Sequence, residues 1–173
     1  MDAAQETLAA LNPQVEVRVL PKKLEADDLH ELVAGCDIVL DCSDNFATRH
    51  AVNRACVRHA KPLVSGAAIR FDGQLMVFDP SERASPCYAC VFPEEGEGEE
   101  MRCAVMGVLA PLTGVIGAMQ AMEAIKLIAR AGESASGKLL VFDALKLEWR
   151  SIKTRKDLEC RVCAMPTDTC AAR

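Results

Sequence analysis

Two Cys-x-x-Cys pairs are the residues of this chain best suited to chemistry: Cys87 with Cys90, and Cys160 with Cys163. Two thiolates at this spacing can bind one metal ion from a tight turn, and two such pairs complete a tetrahedral zinc site. Roughly 70 residues separate the pairs, more than in a compact zinc finger, so the metal would join two distant segments of a larger fold. Four protein ligands leave no position for substrate, which predicts a structural zinc. Two disulfides, or four unconnected thiols, are the alternatives.

A second candidate site is the segment at residues 41–49, Asp-Cys-Ser-Asp-Asn-Phe-Ala-Thr-Arg. It follows an apolar run at residues 37–42 that predicts a buried parallel strand, and it opens a predicted helix at residues 44–59. Ligands of open α/β sheets bind at such strand ends. Asp44 could hold a magnesium ion that bridges phosphates, and Arg49 could neutralise phosphate charge. Asp44 or Asn45 could equally be a helix cap without any ligand.

Cys103 is a third candidate, placed between an acidic, glycine-bearing loop at residues 93–100 and a long apolar segment. The neighbouring Arg102 and a nearby helix N-terminus would both favour the thiolate. The loop composition predicts mobility, so a thiolate there could reach a bound partner. The alternatives are an ordinary solvated connector and a small, partly buried side chain without a role.

Composition narrows the class of protein. The chain has 173 residues, of which 50% are hydrophobic and 4% aromatic, enough for one domain with a real core. Its net charge is -5 and it has no basic run, which argues against nucleic acid as a partner. No signal peptide is visible after Met1, and nine cysteines in an intracellular chain indicate metal and thiol chemistry. We therefore expect a cytoplasmic protein.

Hydrophobic periodicity predicts an α/β protein of alternating helices and strands. The long apolar segment at residues 108–129 contains Gln120, Glu123 and Lys126, which favours a helix buried in the fold over a membrane span. The remaining predicted elements are helices at residues 3–11 and 26–34, strands at 15–20, 62–66 and 73–79, and a hairpin formed by 138–143 and 146–153.

Several long motifs in one order resemble the ThiF/MoeB/HesA family, relatives of the ubiquitin-activating enzymes. The resemblance covers about residues 8–164, and the stretches Val-Ser-Gly-Ala-Ala-Ile-Arg and Ala-Pro-Leu-Thr-Gly-Val-Ile-Gly favour the molybdopterin branch over the thiamine branch. The motifs are Asp-Cys-Ser-Asp-Asn at 41–45, Pro-Leu-Val-Ser-Gly-Ala-Ala-Ile-Arg-Phe-Asp-Gly-Gln at 62–74, the segment 103–126, and the two cysteine pairs.

The resemblance implies the C-terminal part of a Rossmann-like ThiF/MoeB fold, with a mixed sheet and a lobe stapled by a four-cysteine zinc site. It implies an adenylyltransferase that uses MgATP to activate the C-terminal Gly-Gly of a ubiquitin-like sulfur-carrier protein of the MoaD or ThiS type, for molybdopterin or thiamine pathways. The implied partners are that carrier, a sulfur donor such as a cysteine desulfurase or rhodanese, and a second copy in a homodimer. Nucleic acid and membrane are not among them.

Mapped by motif, the resemblance implies a role for each candidate residue. Asp44 matches the magnesium-contacting aspartate and Asn45 its nucleotide-contacting neighbour. Cys103 matches the cysteine that links covalently to the carrier in thiamine-pathway members. Cys87, Cys90, Cys160 and Cys163 match the zinc ligands, and the acidic loop matches the crossover segment over which the carrier tail threads.

The family's Gly-x-Gly-Gly-x-Gly phosphate loop does not occur in this sequence. The resemblance therefore implies that residues 1–164 form a partial adenylation domain and that residues 165–173 form a loose tail. The alternative function is a non-catalytic, zinc-containing module for carrier binding or dimerisation. A third alternative, half of a dinucleotide-dependent oxidoreductase, needs a Gly-x-Gly-x-x-Gly turn that is also absent from the sequence.

Overall fold

A five-stranded mixed sheet organises the protein, whose computed structural model describes residues 2–94 and 106–164. The strand order is β1-β2-β3-β4-β5; β1 runs parallel to β2 and every other neighbouring pair is antiparallel. This confirms the predicted α/β class and mixed sheet. The strands are β1 (Val39–Asp41), β2 (Leu63–Ile69), β3 (Asp72–Phe78), β4 (Lys138–Asp143) and β5 (Glu148–Lys153).

The described helices begin and end at residues whose chemistry suits those positions. They are α1 (Asp2–Leu11), α2 (Ala26–Ala34), α3 (Phe46–Arg58), α4 (Tyr88–Val91) and α5 (Ala110–Ala129). Before α2, Glu25 and Asp28 form a capping box, which satisfies two backbone N–H groups that the first helical turn leaves free. Before α3, the Asn45 side chain accepts the Thr48 N–H at 2.8 Å.

The two faces of the sheet are covered by different helices. On one face, α3 contributes Val52, Ala55 and Cys56 to a core that includes Leu63 and Phe78. On the other face, α5 packs on β2 and β3. A Cβ on Gly73 would lie 2.5 Å from Ile116 of α5, so only glycine allows the helix to come this close to β3.

Only one side of α5 is buried, which differs from the predicted helix buried in the fold. Leu112, Ile116 and Gln120 face the sheet, whereas Ile125 and Ile128 are 64% and 66% exposed. Among the described residues, α5 is the one helix long and apolar enough to cross a membrane by length and composition.

The strand predicted at residues 15–20 is wrong. This segment begins with a bend at Val15, which is 56% exposed, and continues as irregular backbone through residue 20. Glu16 and Arg18 pair with each other at 2.7 Å, and the Gln5 side chain donates to the Val17 carbonyl. Alternating side chains make a strand only beside a partner that completes its backbone hydrogen bonds. In the part of the chain that the structure describes, no strand pairs with this segment.

Candidate functional site

The four cysteines predicted as metal ligands meet at one point. Their sulfur atoms all lie within 4.8 Å of one another. Cys87 Sγ is 3.8 Å from Cys90 Sγ and 3.7 Å from Cys160 Sγ, and Cys90 Sγ is 3.4 Å from Cys163 Sγ. Four thiolates at 2.3 Å from a tetrahedral zinc ion would be about 3.8 Å apart. All four cysteines are free, so the disulfide alternative does not describe this structure.

Each half of the cluster follows one of the antiparallel hairpins. Cys87 and Cys90 lie at α4, shortly after the β2–β3 hairpin, and the Cys90 N–H donates to the Cys87 carbonyl at 3.0 Å. Cys160 and Cys163 come after the β4–β5 hairpin, and the Ala164 N–H closes their turn on the Cys160 carbonyl at 2.9 Å. The cluster therefore joins the ends of the two hairpins.

The shared hydrogen bonds and the burial of this cluster shift the pKa values of three of its thiols in different directions. The hydrogen bond from Cys87 lowers the pKa of Cys90 to about 5. Burial raises the pKa of Cys163 to about 12, and the hydrogen bond with Cys90 raises the pKa of Cys87. Four thiolates this close repel one another, and a divalent cation removes that repulsion. The donor set, the spacing and the burial fit zinc.

The second predicted site lies at the carboxyl ends of β1 and β2. A cavity of about 190 Å³ opens there, and its lining includes Asp44, Arg49, Gly66, Ala68 and Val108. A larger cavity of about 530 Å³ lies near Pro62 and Arg130, at the opposite end of β2. The smaller cavity is the one that contains the predicted residues, and it occupies the strand ends where α/β sheets bind ligands.

Asp44 and Asn45 occupy different environments in the turn between β1 and α3. Asn45 is the N-cap of α3, as one of the two predictions for it stated. Asp44 is exposed, and its Oδ1 is 3.4 Å from the Asn45 amide nitrogen. An exposed carboxylate at the edge of a cavity is able to contact a bound cation.

Arg49 is buried beneath this turn, with 8% of its side chain exposed. Its guanidinium donates to Ser65 Oγ at 3.1 Å, to the Gly66 carbonyl at 2.9 Å and to the Ser43 carbonyl, and it lies 3.6 Å from Asp41 Oδ2. One side chain of α3 therefore ties the end of β1, the turn and the middle of β2 together. Most of its donors are occupied within the protein.

Gln120 of α5 completes the floor of the cavity from the other face of the sheet. Its amide donates to the Asp41 carbonyl at 2.9 Å and to the Val64 carbonyl at 3.1 Å, and its oxygen is 3.4 Å from Cys42 Sγ. A Cβ on Gly66 would lie 2.4 Å from the Gln120 side chain. Glycine at position 66 is therefore what lets this buried amide reach both strands.

The sequence analysis assigned no supporting role to Asp41, Ser65 or Gln120, although Asp41 opens the candidate segment at 41–49 and Ser65 lies in the motif at 62–74. The polar end of an apolar strand was a signal for Asp41, whereas Gln120 was noted only as a polar residue in an apolar helix. Cys103 and the acidic residues 95–100 lie outside the described residues, as does the tail at 165–173.

Comparisons with known sequences support the fold and the motifs. The ThiF family model matches residues 1–162. The chain is 42% identical to the molybdopterin-synthase adenylyltransferase of Salmonella typhimurium over 94% of this chain and 65% of that protein. It is 41% identical to the sulfur carrier protein ThiS adenylyltransferase of Escherichia coli, over 92% of this chain and 62% of that protein. The chain thus spans less than two thirds of these relatives.

Solved structures agree with this assignment at the level of the fold. The Escherichia coli MccB structure with ATP superposes with a TM-score of 0.75 at 21% identity, covering 94% of this chain and 50% of that one. A PaaA structure superposes with a TM-score of 0.66 at 14% identity. Together with the matched motifs and the sheet described above, these comparisons show that the chain belongs to the ThiF family.

Proposed function

We propose that this chain is the C-terminal part of an adenylyltransferase that activates the C-terminal Gly-Gly of a ubiquitin-like sulfur-carrier protein with MgATP. Residues 1–164 are then a partial adenylation domain, and residues 165–173 a tail. The observation that carries the proposal is the exposed Asp44 carboxylate in the cavity lining, on a turn that the buried Arg49 side chain holds through the Ser43 carbonyl. The names of the relatives support the reaction and the class of partner.

The cavity lining suits an extended, glycine-ended peptide. Gly66, Ala67 and Ala68 form part of the wall and present no bulky side chain. A backbone without Cβ atoms can approach such a wall closely. Bound MgATP would supply the adenylyl group, and the roles we assign here are a cation contact to Asp44 and a nucleotide contact to Asn45. Arg49 holds the turn that carries both, and a direct phosphate contact from Arg49 stays a prediction.

The test is ATP–pyrophosphate exchange with a Gly-Gly-ended carrier. We expect exchange from a version of this chain that also carries the family's glycine loop, because a loop of backbone N–H groups would hold the phosphates. The present chain is measured beside it, and a carrier shortened by its two glycines is the control. If both versions bind the carrier but neither catalyses carrier-dependent exchange, the result would favour the non-catalytic binding module instead.

We also propose that Cys87, Cys90, Cys160 and Cys163 hold one structural zinc. The expected result is about one zinc per chain in freshly purified protein by elemental analysis, because four converging sulfur atoms complete its coordination. Cys163→Ser should lose most of the bound zinc, whereas Cys36→Ser, outside the cluster, should keep it. Zinc-free protein with disulfides inside the two pairs would contradict this site.

The remaining parts of the proposal concern the partners of the protein and its location in the cell. We propose that a sulfur donor such as a cysteine desulfurase or rhodanese acts after adenylation, that the protein is a homodimer and that it is cytoplasmic. In the same proposal, the Cys103 thiolate attacks the carbonyl carbon of the carrier acyl-adenylate, which forms a thioester and releases AMP. Mass spectrometry of the protein incubated with carrier and ATP, with Cys103→Ser as control, tests that link directly.

A further inference from the structure

Helix α3 connects the cysteine cluster to the Asp44 turn, and Asn53 of this helix donates a hydrogen bond to the cluster. Asn53 is fully buried. Its Nδ2 donates to Cys87 Sγ at 3.6 Å, and its Oδ1 accepts the Tyr88 N–H at 2.9 Å. A single amide therefore binds both a sulfur ligand and the backbone of the residue that follows it.

A buried amide with these two partners has a specific consequence for a metal site. The complex of one zinc ion with four thiolates has a net negative charge. An N–H group that donates a hydrogen bond to a thiolate therefore stabilises the complex. Cys87 is itself buried, and its nearest ligand neighbours are sulfur atoms that repel it once ionised. The Asn53 amide is a neutral donor placed where water has little access to that sulfur.

We propose that Asn53 sets the metal affinity of the cluster by donating a hydrogen bond to the Cys87 thiolate and by fixing the orientation of the Cys87–Cys90 turn. This rests on the proposed zinc site, and it adds a residue that no cysteine pattern would identify. Partners that hydrogen-bond to metal ligands are typically worth 10–100-fold in affinity.

Helix α3 also reaches the cavity at the carboxyl ends of β1 and β2. Asn45, the N-cap beside Asp44, and Asn53 lie about two turns apart on α3, with Arg49 between them. The His50 ring lies 5.3 Å from the Tyr88 ring in an edge-to-face contact. The Cys87–Cys90 turn therefore packs, through Tyr88, against the helix whose Arg49 lines the cavity.

The decisive variant is Asn53→Asp, which is nearly isosteric. Its carboxylate keeps an acceptor for the Tyr88 N–H but turns an oxygen, in place of the amide donor, toward Cys87. We expect its zinc dissociation constant to rise at least 10-fold in a competition titration with a chromophoric chelator. Asn53→Ala, which loses both bonds, should also weaken binding. Gln120→Ala is the matched control, because it removes a buried amide whose hydrogen-bond partners include no cysteine of the cluster.

A cobalt titration separates the sulfur contact from a general loss of packing. With Co²⁺ in the cluster, losing an N–H donor to a thiolate should move the sulfur-to-cobalt charge-transfer band to lower energy in Asn53→Asp and not in Gln120→Ala. Unchanged zinc affinity and an unchanged band in Asn53→Asp would overturn the role of Asn53. Absence of zinc binding by the unmodified reduced chain would instead overturn the proposed zinc site, so the two failures are distinguishable.

Discussion

Replacing Asp44 with alanine should abolish adenylation while leaving the fold intact. Asp44 is exposed at the cavity mouth, so its loss removes a negative charge there and no buried contact. A carboxylate that holds a cation against transferring phosphates contributes mainly in the transition state. We expect pyrophosphate exchange to fall by at least about 100-fold in a version that carries the glycine loop. Circular dichroism and urea unfolding should match the unmodified protein.

The control for this variant is Asp37→Ala. Asp37 is also exposed, but it precedes β1 and therefore lies at the opposite end of that strand from Asp44. Asp37 has the same side chain on the connection that enters β1, and it does not line the cavity. Near-normal exchange in Asp44→Ala, or an equal loss in Asp37→Ala, would remove Asp44 from the site.

Replacing Arg49 with alanine should instead destabilise the protein strongly. The guanidinium and the Asp41 carboxylate are 8% and 2% exposed, and the guanidinium also satisfies two carbonyls and the Ser65 hydroxyl. Removing one member of a buried pair leaves the other charge without compensation, which costs about 3–5 kcal/mol. We expect that loss in the free energy of unfolding measured by urea denaturation.

Arg54→Ala provides the comparison on the same helix. Arg54 is about half exposed and pairs with Glu94 at the surface. Exposed ion pairs contribute about 0–1 kcal/mol, so this variant should unfold almost like the unmodified protein. Equal effects of the two substitutions would mean that the Arg49 network is not what holds the turn.

The parts of the fold that could be predicted are those in which local pattern and tertiary context agree. The apolar run before Asp44 became β1, and the Cys-x-x-Cys spacing correctly indicated that four thiols converge. A metal-binding turn and the polar end of a buried strand are local features. Their chemistry is therefore visible in a few consecutive residues.

The parts that could not be predicted depend on residues distant along the chain. Residues 15–20 alternate like a strand, but pairing decides whether a strand forms. Asn53 and Gln120 look like ordinary polar residues within helices, and only the folded chain brings them to Cys87 and to the backbone of β1 and β2. The exposed side of α5 could not be predicted, because the apolar composition of a helix does not specify which of its sides pack against other elements.

The position of β1 in the sheet has a consequence for local unfolding. This strand has three residues and pairs with β2, and among the described residues no strand covers its other edge. Amide hydrogens of β1 should therefore exchange through small openings, whereas β2 and β3, paired on both sides, require larger ones. Asp44 follows this strand closely, so the cavity is built at an edge of the sheet. A ligand that contacts both Asp44 and β2 would suppress this local opening of β1, and the cost of ordering the strand would reduce its net binding free energy.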